Sequence, residues 1–431
     1  MIPMHRVPRR GVMVACAVAV TLAGCKTSDY LQVETPDRIP AGGLEKPENA
    51  ALLVTGAIAD FECAFGGYVV AGALIGEELE DATQTADRYP YDQRTMISSS
   101  ARYGTYSCEA IGTYSPLQTA RISADNIRRN LLSWTDQQVP NRQLLLATAA
   151  AYEGYANLLL GEGFCSTVLS TSNADRSINY GTEITRAQAF DSAITRFSEA
   201  ITAAQAAGAS ATNLLNLAYV GRARAKLDKG DLAGARTDAA NVPSGFNFSA
   251  SASATSSRQY NRVFADNGTS GQASSVGAPY RNLSDPRVQV QNLNKQSVTG
   301  VPIWLQLKYG AYNTPIRLAS YEEAQLIIAE ADIATNTAAS LLNAQTIINA
   351  SRARGNETPL AAPTQTQLHD ALITERRRAL FLEGQHLGDL IRYALPLVPA
   401  ANQSYPGGGT YGSQRCMPLP DIEKFNNPNL T

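Results

Sequence analysis

Apolar residues recur at helical spacing through most of the chain, and this periodicity limits the possible folds more than any other feature. In one segment the intervals are three and four residues, at Leu145, Ala149, Tyr152, Ala156 and Leu159. Such spacing places side chains on one face of a helix. The pattern predicts helices at about 48–80, 114–133, 141–162, from 185, 211–228, 231–241, from 320, 339–353 and 365–393.

Two of these helices have a recognisable start. Thr185 precedes Gln188, and Ser320 precedes Glu323, by the three-residue interval of a capping box. In that motif each side chain bonds the backbone N–H of the other residue. A helical hairpin is predicted further on, because small residues at Ala223, Gly230, Ala235 and Ala239 resemble the spacing of a tetratricopeptide repeat, although its large aromatic positions are missing.

The helical pattern fails between about 243 and 315, where Ser, Gly, Asn and Thr dominate. Short strand-like runs occur at Val288–Val290 and Ile303–Leu307, and Trp304 in the second run favours a core position. A 70-residue irregular stretch is uncommon inside a compact domain. We therefore expect a folded, loop-rich insertion that covers the helical body.

The N-terminus has the layout of an export signal. Arg6, Arg9 and Arg10 precede an apolar run, Gly11–Leu22, that is too short to span a bilayer. The run ends in Leu-Ala-Gly-Cys, which resembles a bacterial lipobox with Cys25 as the lipidated residue. An ordinary secreted protein cleaved nearby is the alternative.

Cleavage before Cys25 would remove residues 1–24 and leave a Thr-, Pro- and Gly-rich tether at 25–43, followed by a single domain at 44–431. The mature chain would carry 33 basic and 38 acidic residues, a charge of about −5. This mild acidity argues against a nucleic-acid partner. No segment after the leader is predicted to be long and apolar enough to cross a membrane.

Four cysteines remain in the mature chain: Cys63, Cys108, Cys165 and Cys416. An even number in an exported protein favours two disulfides, with three connectivities open. Four buried free thiols are the alternative. Without a Cys-x-x-Cys motif, and with both mature histidines far from any cysteine, no zinc site and no other metal or cofactor is predicted.

The C-terminal third resembles a known family. Residues 375–393 read ERRRALFLEGQHLGDLIRY, residues 317–331 read RLASYEEAQLIIAEA, and 418–430 form a Pro- and Asn-containing end. In order and spacing these segments are similar to the SusD/RagB family of surface lipoproteins. Gln385 and His386 depart from the basic and aromatic residues that the family often has there.

The resemblance implies a mostly α fold, a tetratricopeptide-like helical-hairpin superhelix with a loop-rich insertion containing short strands. Its parts are a helical body at about 44–242 and 317–395, an insertion at 243–316 and a Pro-rich closing segment at 396–431.

The resemblance also implies non-catalytic binding of a nutrient, typically a glycan or another oligomer. The protein would be lipid-anchored at the surface of the outer membrane and would deliver its ligand to a SusC-like TonB-dependent transporter. The alternative is a periplasmic assembly scaffold. Catalysis is not predicted, because Glu375 and Glu383 would lie about 12 Å apart along a helix, farther than a glycosidase pair.

The family's starch-binding members use the loop after the first long helix and parts of the insertion. The corresponding candidates here are aromatic or planar polar side chains, namely Tyr89, Tyr91, Arg94, Tyr103, Tyr260 and Tyr309. Tyr106 stands in the same loop. Packing of these tyrosines against the helical body is the alternative.

The same layout favours one disulfide pairing. Cys63 lies on the first helix and Cys108 closes the loop after it, while Cys165 follows a helix and Cys416 opens the closing segment. We therefore expect Cys63–Cys108 and Cys165–Cys416. The acidic residues Glu77, Glu78, Glu80 and Asp81 are interpreted as a solvated helix end rather than a calcium site.

Overall fold

A computed structural model describes residues 41–173, 175, 177–269 and 271–430. The chain divides into two units between Lys46 and Pro47, and a short helix at Ala41–Leu44 belongs to the first unit. The leader, Cys25 and most of the tether lie outside the described residues. Lipidation and the proposed boundaries therefore stay predictions.

The second unit is mostly helical, as predicted. Its helices are α1 Ala50–Ile75, α2 Tyr89–Asp92, α3 Ala101–Thr105, α4 Tyr114–Ser133, α5 Arg142–Gly163, α6 Arg186–Ala207, α7 Thr212–Lys229, α8 Leu232–Ala239, α9 Arg262–Asp266, α10 Tyr321–Thr335, α11 Ala338–Arg354, α12 Gln365–Ala379, α13 His386–Arg392 and α14 Asp421–Asn426. Its strands are β1 Leu79–Asp81, β2 Ser166–Val168, β3 Thr171–Ser172, β4 Ile178–Asn179, β5 Glu183–Thr185, β6 Asn247–Ala250, β7 Ser274–Val276, β8 Val290–Gln296, β9 Pro302–Gln306 and β10 Ile316–Ser320.

Helices that follow one another in the chain pack together, from α4 on α5 through to α7 on α8. This is the arrangement of stacked helical hairpins. Phe197 of α6 is fully buried, and small residues on α5 and α7 let these helices pack closely around its ring. A Cβ atom would lie 2.8 Å from its ring at Gly154 of α5 and 2.4 Å away at Gly221 of α7. The ring therefore fills the space that the two glycines leave.

The predicted capping boxes have different outcomes. At Thr185 the hydroxyl accepts from the N–H of Gln188, whose side chain accepts from the N–H of Thr185, so the reciprocal box is complete. The hydroxyl of Ser320 accepts from the N–H of Glu323 at 3.1 Å. Glu323 does not complete the second box, because its buried carboxylate lies near Arg224 of α7, with 3.9 Å between the nearest charged atoms.

The first long helix differs from the expectation that no segment after the leader is long and apolar enough to cross a membrane. In the part of the chain that the structure describes, the helical segment Pro47–Ile75 is long and apolar enough to cross a bilayer. Most of its most apolar stretch is buried inside the protein. It contacts α4, α5 and α13. Its apolar character is therefore explained by its place in the core.

The helix predicted over 365–393 is wrong, because the chain turns between α12 and α13. Leu382 and Gly384 have φ values of 56° and 76°, outside the helical region. Gly384 also comes close to α1, where a Cβ atom on it would lie 3.1 Å from Cγ2 of Val69. A glycine adopts such a φ without the steric cost that other residues incur. Gly384 thus lets the turn pack closely against α1.

The insertion contains short antiparallel strand pairs, as predicted. Strand β8 pairs with β9, and β6 pairs with β10. Strand β7 pairs with β1, with Leu79 opposite Val276, so the insertion is attached to the end of α1. Trp304 is half-buried against the main core, in line with the core interpretation.

The acidic end of α1 is not solvated, and that interpretation is wrong. Glu77, Glu78 and Asp81 are buried. Glu78 accepts a hydrogen bond from the N–H of Leu382 at 2.8 Å, and Glu77 accepts one from the N–H of Val398. Burial raises the pKa of both glutamates to about 7. Later parts of the chain cover this helix end, which its local sequence does not indicate.

Both disulfides join segments that are distant in sequence. Cys63 is bonded to Cys108 and Cys165 to Cys416, with Cα–Cα distances of 5.7 and 5.2 Å. This is the pairing that the layout of the chain favours. Beside the second bridge, Met417 donates to Gly163 O and accepts from the N–H of Cys165, both at 2.9 Å. The closing segment is thereby attached to the end of α5.

Candidate ligand-binding groove

Four of the residues proposed as ligand contacts lie inside the protein. Tyr91, Tyr103, Tyr309 and Arg94 are each no more than 3% exposed. The hydroxyl of Tyr91 donates to Ile111 O at 2.9 Å, and that of Tyr309 donates to Leu382 O at 3.0 Å. Their rings offer no open face to a ligand. For these tyrosines the structure shows the alternative, packing against the body.

Arg94 is held by the closing segment. Its Nε donates to Gly412 O at 3.2 Å and its Nη2 donates to Pro399 O. The guanidinium carbon also lies 4.8 Å from the ring centre of Tyr411. These contacts make Arg94 a support for the fold, which corrects its proposed role as a ligand contact.

Tyr89 and Tyr260 are partly exposed. The ring of Tyr260 lies 4.2 Å from that of Tyr312, centre to centre. Ligand binding by these two residues stays a prediction.

A depression lies along α4, with a central cavity of about 340 Å³. Ser115, Gln118, Thr119 and Ile122 line it from α4, at the spacing of one helical face. The opposite wall is formed by residues 168, 170–172, 178 and 180, in and beside β3 and β4. We call this depression the α4 groove. Its volume is within the range of ligand sites, about 300–1,000 Å³.

Hydrogen bonds fix the distance between the two walls. Three side chains of α4 donate to the carbonyl of every second residue of the facing segment: Gln118 to Val168, Arg121 to Ser170 and Arg129 to Ser172. In an extended chain alternate carbonyls point to the same side. The groove is therefore held open by a regular set of bonds between helix and strand.

The closing segment forms the third side of the groove. Asn427 donates to Gly181 O at 2.8 Å, and Asn429 donates to Tyr180 O at 2.7 Å. On α14, Glu423 accepts a hydrogen bond from the hydroxyl of Tyr114 at 3.1 Å. Burial raises the pKa of Tyr114. The end of the chain thus completes a site whose other walls lie more than 240 residues earlier.

The lining combines apolar and polar groups. Ile178 and Ile422 are 54% and 39% exposed at the mouth. Tyr180 is half-buried in the wall, and the buried Tyr114 packs edge-on against Phe164 beneath it. Apolar faces beside amide, hydroxyl and guanidinium groups suit a ligand with both C–H surfaces and hydroxyl groups.

A second cavity, of about 240 Å³, continues the groove towards the Cys63–Cys108 disulfide. It shares Ser115 and Thr119 with the central cavity. Tyr106 lines it and is partly exposed, and an ion pair of 2.5 Å between Arg258 and Asp60 closes one side. The insertion thus contributes a charged residue to this end.

A third cavity, of about 270 Å³, extends the groove in the other direction and shares Arg121 and Thr171 with the central one. Its wall contains an ion network in which Arg128 contacts Asp125 at 2.5 Å and Glu153 at 2.7 Å. The shared residues place the three cavities next to one another along α4.

Our sequence interpretation missed this groove. The positions of Ser115, Thr119 and Ile122 repeat every three or four residues and mark a helical face without large core residues. That signal exists in the sequence of α4. The facing wall consists mainly of backbone carbonyls and short strands, and its place follows from tertiary contacts.

The comparisons with known proteins agree on one family. A sequence model of the SusD family matches residues 246–425. A search of curated proteins finds no match.

Solved structures resemble nearly the whole chain. A SusD superfamily protein from Bacteroides vulgatus is 14% identical, with a TM-score of 0.68, over 89% of this chain and 98% of its own. A SusD-like carbohydrate-binding protein from the same organism is 14% identical, with a TM-score of 0.65, over 89% and 97%. A SusD superfamily protein from Bacteroides thetaiotaomicron is 14% identical, with a TM-score of 0.65, over 89% and 98%. At these identities the likeness establishes the fold, which is SusD-like.

Proposed function

We propose that this chain, which belongs to the SusD family, binds a glycan in the α4 groove without transforming it. In this proposal it then delivers the glycan to a SusC-like TonB-dependent transporter. A similar solved structure is described as carbohydrate-binding, which supports a glycan as the ligand. The observation that carries the proposal is the row of three adjoining cavities with apolar and planar polar groups along α4.

A glycan fits this groove because sugars present both C–H faces and hydroxyl groups. Tyr180 and Ile178 offer apolar surface, and Phe425 on α14 is 81% exposed close to residues that line the groove. Gln118 and Ser115 offer amide and hydroxyl groups from the opposite side. The flanking cavities lengthen the site beyond one sugar unit, which favours an oligosaccharide.

Carboxylates in the groove are already engaged. Glu423 accepts a hydrogen bond from Tyr114, and Glu153 is bonded to Arg128. A general acid or base must reach the bond that reacts. Groups held in this way favour binding over proton transfer, in keeping with a protein that captures its ligand unchanged.

The proposal places the protein at the surface of the outer membrane. The lipobox at Cys25 would supply the anchor, and disulfides are typical of oxidising compartments outside the cytoplasm. A tether between the anchor and the domain would let the groove face the medium.

The test is a glycan-array screen of the mature chain, made soluble by Cys25→Ala, followed by calorimetry with each ligand found. Thr119→Trp should abolish binding, because Thr119 is exposed and lines both the central and the second cavity. Thr202→Trp is the matched control, since Thr202 is an exposed threonine on α6. Recovery of the bound glycan at unchanged length tests the absence of turnover. Binding that survives Thr119→Trp, or cleavage of the ligand, would contradict the proposal.

A further inference from the structure

Arg121 occupies the wall between the central and third cavities of the α4 groove. It is only 4% exposed. Its Nε donates to the amide oxygen of Gln118 at 2.8 Å, and its Nη2 donates to the carbonyl of Ser170. Both acceptors are neutral, and Nη1 has no hydrogen-bond acceptor among the described residues.

Within the described part of the chain, no carboxylate lies within 4.0 Å of the Arg121 guanidinium. The acidic groups around it are Asp125, Glu153 and Glu423. The first two are bonded to Arg128, and Glu423 accepts from Tyr114. Buried charges in proteins are normally paired, because removing them from water is costly. Arg121 is therefore a buried cation without its own counter-ion.

Arg128 on the same helix shows the usual arrangement. It is also buried, yet it contacts the carboxylates of Asp125, Glu153 and Glu199. These carboxylates raise the pKa of Arg128, whereas desolvation lowers the pKa of Arg121. Arg121 and Arg128 lie on the same face of α4, about two turns apart. They differ in whether the protein supplies the anion that pairs with the guanidinium.

We propose that the glycan bound in the α4 groove is acidic, and that a carboxylate of one uronic acid unit pairs with Arg121. The inference rests on the proposed function and names the class of its ligand. A guanidinium binds a carboxylate through charge-assisted hydrogen bonds, which are stronger than those to a neutral hydroxyl.

The test compares galacturonate and glucuronate oligomers with their methyl esters and with neutral galactose and glucose oligomers of equal length. Methyl esterification removes the charge and retains the sugar backbone. By calorimetry on the soluble mature chain, the acids should bind about tenfold to a hundredfold more tightly than their esters. Added salt should reduce this difference, since it screens charge.

Variants test whether Arg121 causes the preference for the acid over its methyl ester. Arg121→Gln should remove the preference for the acid, while Arg121→Lys should keep part of it. Arg142→Gln is the matched control, because Arg142 also donates to a backbone carbonyl, that of Leu131, but does not line the cavities. Circular dichroism checks that each variant folds. If Arg121→Gln does not fold, the comparison of acids with their methyl esters on the unaltered protein still tests whether the groove prefers an acidic glycan.

The outcomes separate the two proposals. If neutral oligomers bind in the groove and the acids bind no more tightly than their esters, the acidic ligand is refuted and the proposed function stands. If the acids bind preferentially but Arg142→Gln and Arg121→Gln reduce the preference equally, Arg121 is not the counter-ion and the inference is refuted. If no oligomer of any class binds, both proposals fail.

Discussion

Replacing Gly221 with alanine tests the packing that holds the helical hairpins together. A Cβ atom at this position would lie 2.4 Å from Cζ of Phe197. Carbon atoms in contact prefer about 3.5–4.0 Å, so the ring would have to move by more than ~1 Å. It has little room, because Gly154 lies against the same ring from α5 and Tyr155 packs edge-on at 4.9 Å.

Two effects set the size of the change. Overpacking a core costs about 1–3 kcal/mol. Alanine in a helix interior gains about 1 kcal/mol over glycine. Gly221→Ala should therefore lower the free energy of unfolding by up to about 2 kcal/mol.

Gly56→Ala is the matched control, because Gly56 lies in α1 with nothing within 4 Å of the added Cβ atom. It should raise stability by up to about 1 kcal/mol. Urea unfolding monitored by circular dichroism gives both values. Combining Gly221→Ala with Phe197→Leu should remove most of the cost of the alanine, a coupling of about 0.5–3 kcal/mol. Equal stabilisation by Gly221→Ala and Gly56→Ala would refute the reasoning.

Three further predictions concern stability and its separation from binding. Tyr91→Phe removes a buried hydrogen bond, so urea unfolding should show a loss of about 1 kcal/mol while calorimetry shows unchanged glycan affinity; a loss of affinity would restore Tyr91 as a ligand contact. Glu78 has a pKa of about 7 in the fold against 4.5 ordinarily, so the stability that its protonated form contributes is lost as pH rises through this window. Urea unfolding at several pH values should show that the stability of Glu78→Gln rises relative to that of the parent protein from pH 5 to 8. A difference that stays constant with pH would contradict this. Replacing both Cys165 and Cys416 with alanine should lower the free energy of unfolding by about 2–5 kcal/mol, and an unchanged urea midpoint would show that the bridge adds no stability.

The sequence was most informative where a long helix has one apolar face. The bounds predicted for α4 agree with those observed, Tyr114–Ser133. The turn between α12 and α13 could not be predicted from local pattern, because the apolar spacing continues through Leu382 and Gly384. At this turn Gly384 packs against Val69, which lies more than 300 residues earlier and outside any local pattern.

The candidate site was harder to predict for the same reason. Tyr91 and Arg94 stand in a polar segment next to a proline, which is typical of an exposed loop. They are buried because the closing segment folds over them, with Gly412 and Pro399 accepting hydrogen bonds from Arg94. Burial caused by distant segments leaves no mark in the local sequence. The opposite wall of the groove consists mainly of backbone carbonyls, so the pattern of side chains in the sequence could not predict it.

Hydrogen–deuterium exchange with and without a saturating glycan tests the ligand site most directly. The α4 groove predicts slower exchange at 166–181 and 421–427, the two segments that face α4, and in α4 itself at residues near Thr119. Protection confined to the segments around Tyr89 and Tyr260, with no change along the groove, would contradict the account.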